Sequence, residues 1–215
     1  MIDLHTHTLL SDGELLPTEL ARRAQEKGYK VIGITDHVDS SNIDFVVPRI
    51  IMACSDINKN WKIKAIAGVE ITHMPLELIK STVKFVRSKG IKLVLMHGET
   101  IVEPVIKGTN KESILSGINI LTHPGLITLE DAKLAAEKNV YLEITARKGH
   151  SLSNGHVVKV ARLAGAKLVL NTDSHMPENL ITKDFAQEVL LGAGVDKKEI
   201  LQIFKNSEEL VAGLT

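Results

Sequence analysis

The sequence predicts an α/β fold in a single domain over residues 1–215, most simply a barrel of seven parallel strands related to the TIM barrel. Two observations predict it. Short apolar runs rich in β-branched side chains recur along the chain, as expected of parallel strands buried on both faces. Stretches of helical period separate most of these runs. An open, doubly wound sheet is the alternative, because periodicity does not distinguish the two.

The strands and helices can be placed from the apolar pattern and from the residues that typically begin or end a helix. Pro17 and Gly28 bracket one predicted helix, and Thr128 with Asp131 resembles a capping box at the start of another. Strands are predicted at Ile2–Thr6, Lys30–Thr35, Lys64–Val69, Lys92–Met96, Asn119–Leu121, Val140–Ile144 and Lys167–Asn171. Helices are predicted at Pro17–Lys27, Val46–Asn58, Leu76–Ser88, Thr128–Lys138, Gly155–Ala164, Lys183–Leu191 and Lys197–Lys205.

Composition excludes several classes of protein. The 26 basic and 26 acidic residues give no net charge, and aromatic residues make up 3%, which argues against a partner such as long nucleic acid. One cysteine, Cys54, permits no intramolecular disulfide and favours the cytoplasm. No apolar run approaches the roughly 18 residues of a membrane span. The oligomeric state is left open.

Polar side chains follow nearly every predicted strand at the point where the strand ends. Six histidines and three carboxylates lie there, and only the sixth strand is not followed by one. In chain order they are His5, His7, Asp12, His37, Glu70, His97, His123, Asp173 and His175. The carboxyl ends of parallel barrel strands share one rim, so we expect these side chains to converge. One isolated histidine would more often be structural, but the joint pattern predicts a metal site.

The residue types indicate which metals such a site would hold. Imidazole and carboxylate together suit zinc, iron or manganese, and a thiolate site is excluded with a single cysteine. Nine ligands exceed the four to six places of one ion. Two or three ions sharing bridging groups are therefore predicted, with Glu70 as the natural bridge. Clustered ions of this kind can activate water and clamp a transferring phosphoryl group.

Five strings of residues, in order along the chain, resemble the PHP (polymerase and histidinol phosphatase) family, in its stand-alone phosphoesterase form. They are Asp3-Leu4-His5-Thr6-His7 with Ser11-Asp12-Gly13, Thr35-Asp36-His37, Gly68-Val69-Glu70, Thr122-His123-Pro124-Gly125 and Thr172-Asp173-Ser174-His175. The resemblance implies a distorted seven-stranded barrel and a trinuclear centre. It implies three ligand sets: His5, His7, Glu70 and Asp173; Glu70, His97 and His123; and Asp12, His37 and His175.

The resemblance implies hydrolysis of a small phosphate monoester by a metal-activated hydroxide, in the manner of histidinol phosphate phosphatases. Asp12 or His175 would protonate the leaving group. Arg147 and Lys148, in the loop after the sixth strand, are candidates for binding the phosphate, with solvated loop charges as the alternative. His73, His150 and His156 are expected to be loop residues, with a role at the site as the alternative.

Two further side chains beside the predicted ligands leave their roles open. Asp36 is expected either to orient a ligand histidine or to cap a turn. Glu99 could compete with His97, whose surroundings match the family loosely.

Three other functions fit parts of this pattern. A nuclease or nucleotide phosphatase is one, since related domains trim nucleic acid. An amidohydrolase-like enzyme that cleaves C–N or C–O bonds is another, because such barrels use similar ligands. A non-catalytic domain serving a polymerase is the third, although domains of that kind often lose ligands and all nine positions are filled here.

Overall fold

A computed structural model describes residues 1–214 and contains eight strands and eight helices over that range. The strands are β1 Ile2–Asp3, β2 Val31–Ile34, β3 His37–Val38, β4 Lys64–Ile71, β5 Leu93–His97, β6 Ile120–Thr122, β7 Tyr141–Thr145 and β8 Leu168–Asn171. The helices are α1 Pro17–Glu26, α2 Ile43–Asn60, α3 Leu76–Ser88, α4 Thr109–Leu115, α5 Leu129–Lys138, α6 Asn154–Ala164, α7 Lys183–Gly192 and α8 Lys197–Leu214.

The sheet is a nearly closed parallel barrel. Its strands are ordered β1-β2-β4-β5-β6-β7-β8, and β3 adds a short second pairing to the long strand β4. The first and last strands approach each other, because Thr6 forms a parallel bridge with Ser174 and the Thr172 hydroxyl donates to Asp3 at 2.5 Å. The barrel prediction is confirmed, and the open-sheet alternative is wrong.

The barrel interior is apolar at one end and polar at the other. Leu93 and Leu95 of β5 belong to a buried apolar cluster inside the barrel. Leu210, Val211 and Leu214 of α8 belong to the same cluster. Because strand side chains alternate with a period of two, His97 continues the line of Leu93 and Leu95 at the carboxyl end. Strands β4 and β7 show the same change from apolar to polar side chains toward the carboxyl end, from Ile66 to Glu70 in β4 and from Tyr141 to Glu143 in β7.

Most predicted elements are confirmed, and two helices differ for a physical reason. Helix α8 extends to Leu214, well beyond the predicted end; its last turns bury Leu210, Val211 and Leu214, and the polar residue before them, buried Asn206, donates to the Leu168 carbonyl at 2.8 Å. Helix α4 was not predicted, since its buried face includes the polar residues Asn110 and Ser113. Polar residues that are satisfied inside the fold obscure the apolar pattern. No helix within residues 1–214 is long and apolar enough to cross a membrane.

Candidate metal centre

Four predicted ligands form the floor of a site at the carboxyl ends of the strands. Glu70 Oε2 lies 3.2 Å from His5 Nε2 and 3.5 Å from His7 Nε2. Asp173 Oδ1 lies 3.3 Å from His7 Nε2 and 3.7 Å from His5 Nε2. All four residues are buried. The floor, defined as His5, His7, Glu70 and Asp173, therefore gathers side chains from both ends of the chain.

A second group lies beside the floor and opens to solvent. Asp12 Oδ2 is 3.1 Å from His175 Nε2 and 3.6 Å from His37 Nε2. The rings of His37 and His175 flank that of His7, with centroids 4.1 and 4.2 Å from it. Asp12 is the exposed member, since 54% of its side chain is accessible. This arrangement brings together the predicted set of Asp12, His37 and His175.

The third group contains predicted and unpredicted residues. His123 Nε2 lies 3.5 Å from Glu70 Oε1, and the His97 and His123 ring centroids are 4.4 Å apart. His150 joins them, with its ring stacked on His123 at 4.2 Å. Glu103 Oε2 lies 3.1 Å from His97 Nε2. Sequence reasoning did not single out Glu103, because it lies in a loop with no strand beside it.

The floor is supported by hydrogen bonds from neighbouring strands. Glu143 Oε2 lies 2.8 Å from His5 Nδ1 and accepts from Asn171 Nδ2 at 3.0 Å. Such a bond fixes the tautomer and orientation of a ligand histidine. The Thr122 hydroxyl donates to Glu70 Oε1 at 2.5 Å. The sixth predicted strand therefore does contribute to the site, through Glu143, and a lone glutamate inside an apolar strand was the available signal.

Asp36 organises the turn that carries Asp12. Its carboxylate accepts from the Thr8 backbone N–H at 2.7 Å and from the Ser11 hydroxyl at 2.8 Å. Of the two roles predicted for Asp36, the structure shows the turn-capping one. Gly13 is required in the same turn, because a Cβ there would lie 2.5 Å from the His7 carbonyl oxygen. The path of the chain after β1 is thereby fixed.

Two candidate ligands adopt strained backbone conformations. His123 has a φ of 26° and Asp173 a φ of 52°, both in the left-handed region that residues other than glycine seldom enter. Gly125, with a φ of 60°, makes the tight turn after His123, where a Cβ would meet the Glu99 carbonyl oxygen at 1.8 Å. Strain of this kind concentrates at functional sites.

The donor set fits divalent metal ions. His7 Nδ1, His97 Nδ1 and His123 Nδ1 are buried atoms without a hydrogen-bond partner among residues 1–214. Unpaired buried polar atoms are costly and rare, so a cluster of them indicates a missing partner. Burial lowers the pKa of His7 and His123 well below the usual value, which keeps both imidazoles neutral and able to act as ligands. Burial alone would raise the pKa of Glu70, but His5 and His37 hold it well below its usual value.

A cavity of about 240 Å³ opens above these groups, and its wall is almost entirely polar. Arg147 lines it, with Nη1 donating to Asn179 Oδ1 at 3.1 Å. Lys148 is exposed and is not among the lining residues. Glu99, expected as a rival of His97, instead accepts from the Gly108 and Asn110 backbone N–H groups at 2.9 and 3.0 Å.

Three other histidines were expected to be loop residues, and they differ in whether they line the cavity. His73 and His150 line the cavity. His156 lies apart, with Nε2 2.8 Å from the Ile127 carbonyl oxygen.

Known proteins resemble this chain in sequence and in fold. The model of the PHP domain matches residues 3–99. An uncharacterized protein of Methanocaldococcus jannaschii is 45% identical over 200 residues, covering 92% of each chain. The chain belongs to the PHP domain family. A probable phosphatase of Shewanella pealeana is 29% identical, and the alignment covers 100% of this chain and 92% of that protein.

A solved structure extends the PHP comparison to the fold. The histidinol phosphate phosphatase of Lactococcus lactis, in complex with zinc, L-histidinol and phosphate, superposes with a TM-score of 0.63 at 20% identity. The superposition covers 91% of this chain and 94% of that one. The matched PHP segment contains the positions from His5 to His97. His123 follows it after β6, and Asp173 and His175 follow it after β8, so they reach the same site from two later strands.

Proposed function

We propose that the protein is a metal-dependent phosphoesterase that hydrolyses a small phosphate monoester in the cytoplasm. The observation that carries the proposal is the convergence of nine predicted ligands on one rim, three of them with buried atoms that lack a hydrogen-bond partner among residues 1–214. Relatives named as phosphatases and a similar fold that binds zinc and phosphate support it. Histidinol phosphate is one substrate of this class.

The ligands divide into three sets under this proposal. His5, His7, Glu70 and Asp173 would hold one ion; Glu70, His97 and His123 a second; and Asp12, His37 and His175 a third. Zinc, manganese or iron ions, when bound, would supply an activated water and neutralise charge on the phosphoryl oxygens. Glu70 has one oxygen toward His5 and His7 and the other toward His123, which suits a bridging ligand.

The remaining roles fall to side chains around the cavity. Arg147 would bind phosphate oxygens, because this residue lines the cavity and Asn179 accepts from only one nitrogen of its guanidinium. Asp12 or His175 would donate a proton to the leaving oxygen, since Asp12 Oδ2 lies 3.1 Å from His175 Nε2 and the Asp12 side chain is exposed to solvent. A cavity of about 240 Å³ suits a small ester better than a polymer.

The first experiment combines elemental analysis with a panel of phosphate esters that includes nucleotides. We expect more than one equivalent of transition metal, and we expect phosphate release to be lost in His7→Ala and Asp173→Ala. His156→Ala is the matched control, because that ring lies outside the cavity. A protein that binds no metal, or one indifferent to the two floor substitutions, would refute the proposal. Cleavage of amides without phosphate release would favour the amidohydrolase alternative.

The second experiment separates two adjacent cations. Arg147→Ala should raise the KM for phosphomonoesters by about 10-fold or more, because a charge-assisted bond to phosphate is lost. Lys148→Ala should leave KM unchanged, since Lys148 is exposed beside the cavity rather than in its wall. Equal effects of the two substitutions would indicate a diffuse charge effect. No effect of either would remove both from phosphate binding.

A further inference from the structure

The loop between β5 and α4 folds back over the site and is tied at both ends. Glu99, near its start, accepts from the backbone N–H groups of Gly108 and Asn110. Asn110 in turn donates to the Pro124 carbonyl oxygen at 3.0 Å. The segment from Glu99 to Gly108 is therefore a closed loop attached to the turn that carries His123. Its position follows from these bonds rather than from an apolar core of its own.

This loop brings a carboxylate into contact with three imidazoles. Glu103 Oε2 lies 3.1 Å from His97 Nε2 and 3.3 Å from His73 Nε2, while Oε1 lies 3.4 Å from His150 Nε2. Metal–ligand bonds of about 2.0–2.2 Å place neighbouring ligand atoms on one ion roughly 3.0–3.5 Å apart. The distances from Glu103 to His97 and to His150 fall within that interval, as they would for atoms that surround a cation.

His150 is held in the manner of a metal ligand. It is 7% exposed, and its Nδ1 lies 2.7 Å from the Thr100 hydroxyl, which comes from the same loop as Glu103. With Nδ1 engaged by Thr100, Nε2 is the atom presented to the site, and metal-binding histidines are oriented by such a bond on the other nitrogen. Ligand atoms of His97, His123 and His150 all lie within 4.8 Å of one another.

We propose that Glu103 and His150 are ligands of the ion held by His97 and His123, in addition to the set that the family resemblance supplies. The inference rests on the proposed metal-dependent function and concerns one half of its site. His73 and Thr100 are positioning residues in this scheme: His73 holds the Glu103 carboxylate, and Thr100 orients the His150 ring. With Glu70 as a bridge, the protein would offer this ion three nitrogen and two oxygen ligands, a set that favours metals able to take six ligands over tetrahedral zinc.

The test measures metal retention in Glu103→Gln, which removes the charge but keeps the size of the side chain. Each protein is loaded with Mn²⁺, passed through gel filtration and analysed for bound metal, and the affinity of every bound equivalent is measured by competition with a chelator. We expect the affinity of one equivalent to fall at least 10-fold, since even substitutions that act only on a ligand's orientation cost about 10- to 100-fold. Thr100→Val, which acts only on orientation, should lower the affinity of the same equivalent by about 10- to 100-fold. Glu188→Gln, on the exposed surface of α7, is the control and should match the wild type.

A variant with Thr100→Val and His150→Phe guards against misfolding. It removes the hydroxyl and both ring nitrogens together, so that no buried polar partner is left unpaired, and it keeps an aromatic ring stacked on His123. Its metal-free melting temperature reports folding, and we expect loss of one equivalent of bound metal. If these variants retain metal like the wild type while His7→Ala loses it, Glu103 and His150 are not ligands and the proposed function stands. If neither group of variants nor the wild type binds metal, both proposals fail.

Discussion

The two halves of the site are built by different means. The floor is almost completely buried, and its donors are fixed by hydrogen bonds from neighbouring strands, such as that between His5 and Glu143. The loop side, defined as His73, Glu103 and His150, comes from the three connections that follow β4, β5 and β7, and 44% of the His73 and 37% of the Glu103 side chain are accessible. A barrel can hold a metal centre rigidly at its strand ends and adjust the outer ligands through a loop.

The largest difference should appear when Glu70 is replaced. Glu70→Gln removes a carboxylate that contacts His5, His7, His37 and His123, so ions on both sides of it should be weakened. Loss of an ion removes several kcal/mol of transition-state stabilisation, and phosphate release should fall by about 10³-fold or more. Turnover and bound metal should be measured on the same preparation. A fall in turnover with full metal content would show that Glu70 is not a bridging ligand.

Metal removal should reveal how far the fold depends on the floor. Binding at 1,000 times Kd stabilises a protein by about 4 kcal/mol, which corresponds to roughly 8–16 °C in the Tm of a domain of this size. We expect a chelator to lower the Tm by an amount in that interval, because it leaves the buried floor donors without partners. In Glu103→Gln the shift should be smaller than in the wild type, since one ion is already weakly held. An unchanged wild-type Tm would mean that the buried donors need no metal.

The fold and the floor could be predicted from sequence because both follow the strand period. His5 and His7 occupy alternate positions, and Glu70 lies four residues beyond Ile66 on the same side of β4. Apolar runs mark each strand, and its carboxyl end marks the rim. The short strand β3 was missed, because two residues carry no pattern.

The loop side could not be predicted in this way. Glu103 reaches the site only because Glu99 closes the loop on Gly108 and Asn110, and a connection with no periodicity gives no sign of such closure. His150 was expected to be a loop residue, although the structure places it against His123, on a short 3₁₀ helix after β7. The position of the His73 side chain depends on a left-handed backbone conformation, with a φ of 47°, which could not be predicted from the sequence. Loop geometry depends on distant contacts rather than on local pattern.

The support of the floor can be tested separately from its ligands. Glu143→Gln keeps the size of the side chain and can still accept from Asn171, but it weakens the bond that orients His5. Because it acts on a ligand without being one, we expect metal affinity to fall by about 10- to 100-fold. Chelator competition measures this, with Glu137→Gln on the exposed part of α5 as the control. An affinity equal to that of the wild type would show that the strands alone orient His5.

The smallest predicted effect concerns Arg147, whose support comes from a segment outside both halves. Asn179 Oδ1 accepts from Arg147 Nη1 and the His175 backbone N–H, both at 3.1 Å, and from the Met176 backbone N–H at 3.2 Å. Asn179→Ala leaves these donors unpaired, and a loss of about 1 kcal/mol should raise KM roughly 5-fold and lower the Tm by about 2–4 °C. Metal content should not change.

Asn179→Asp distinguishes support of the backbone from support of the arginine. The carboxylate keeps the three acceptor contacts, so the Tm should return to the wild-type value. It also pairs with the Arg147 charge, so the KM for phosphate esters should stay raised. A variant with normal KM and normal Tm would mean that Asn179 only caps the turn after His175. A wild-type Tm together with a raised KM would show that the orientation of Arg147 matters for substrate binding. Neither the floor nor the loop side of the site would be involved in that effect.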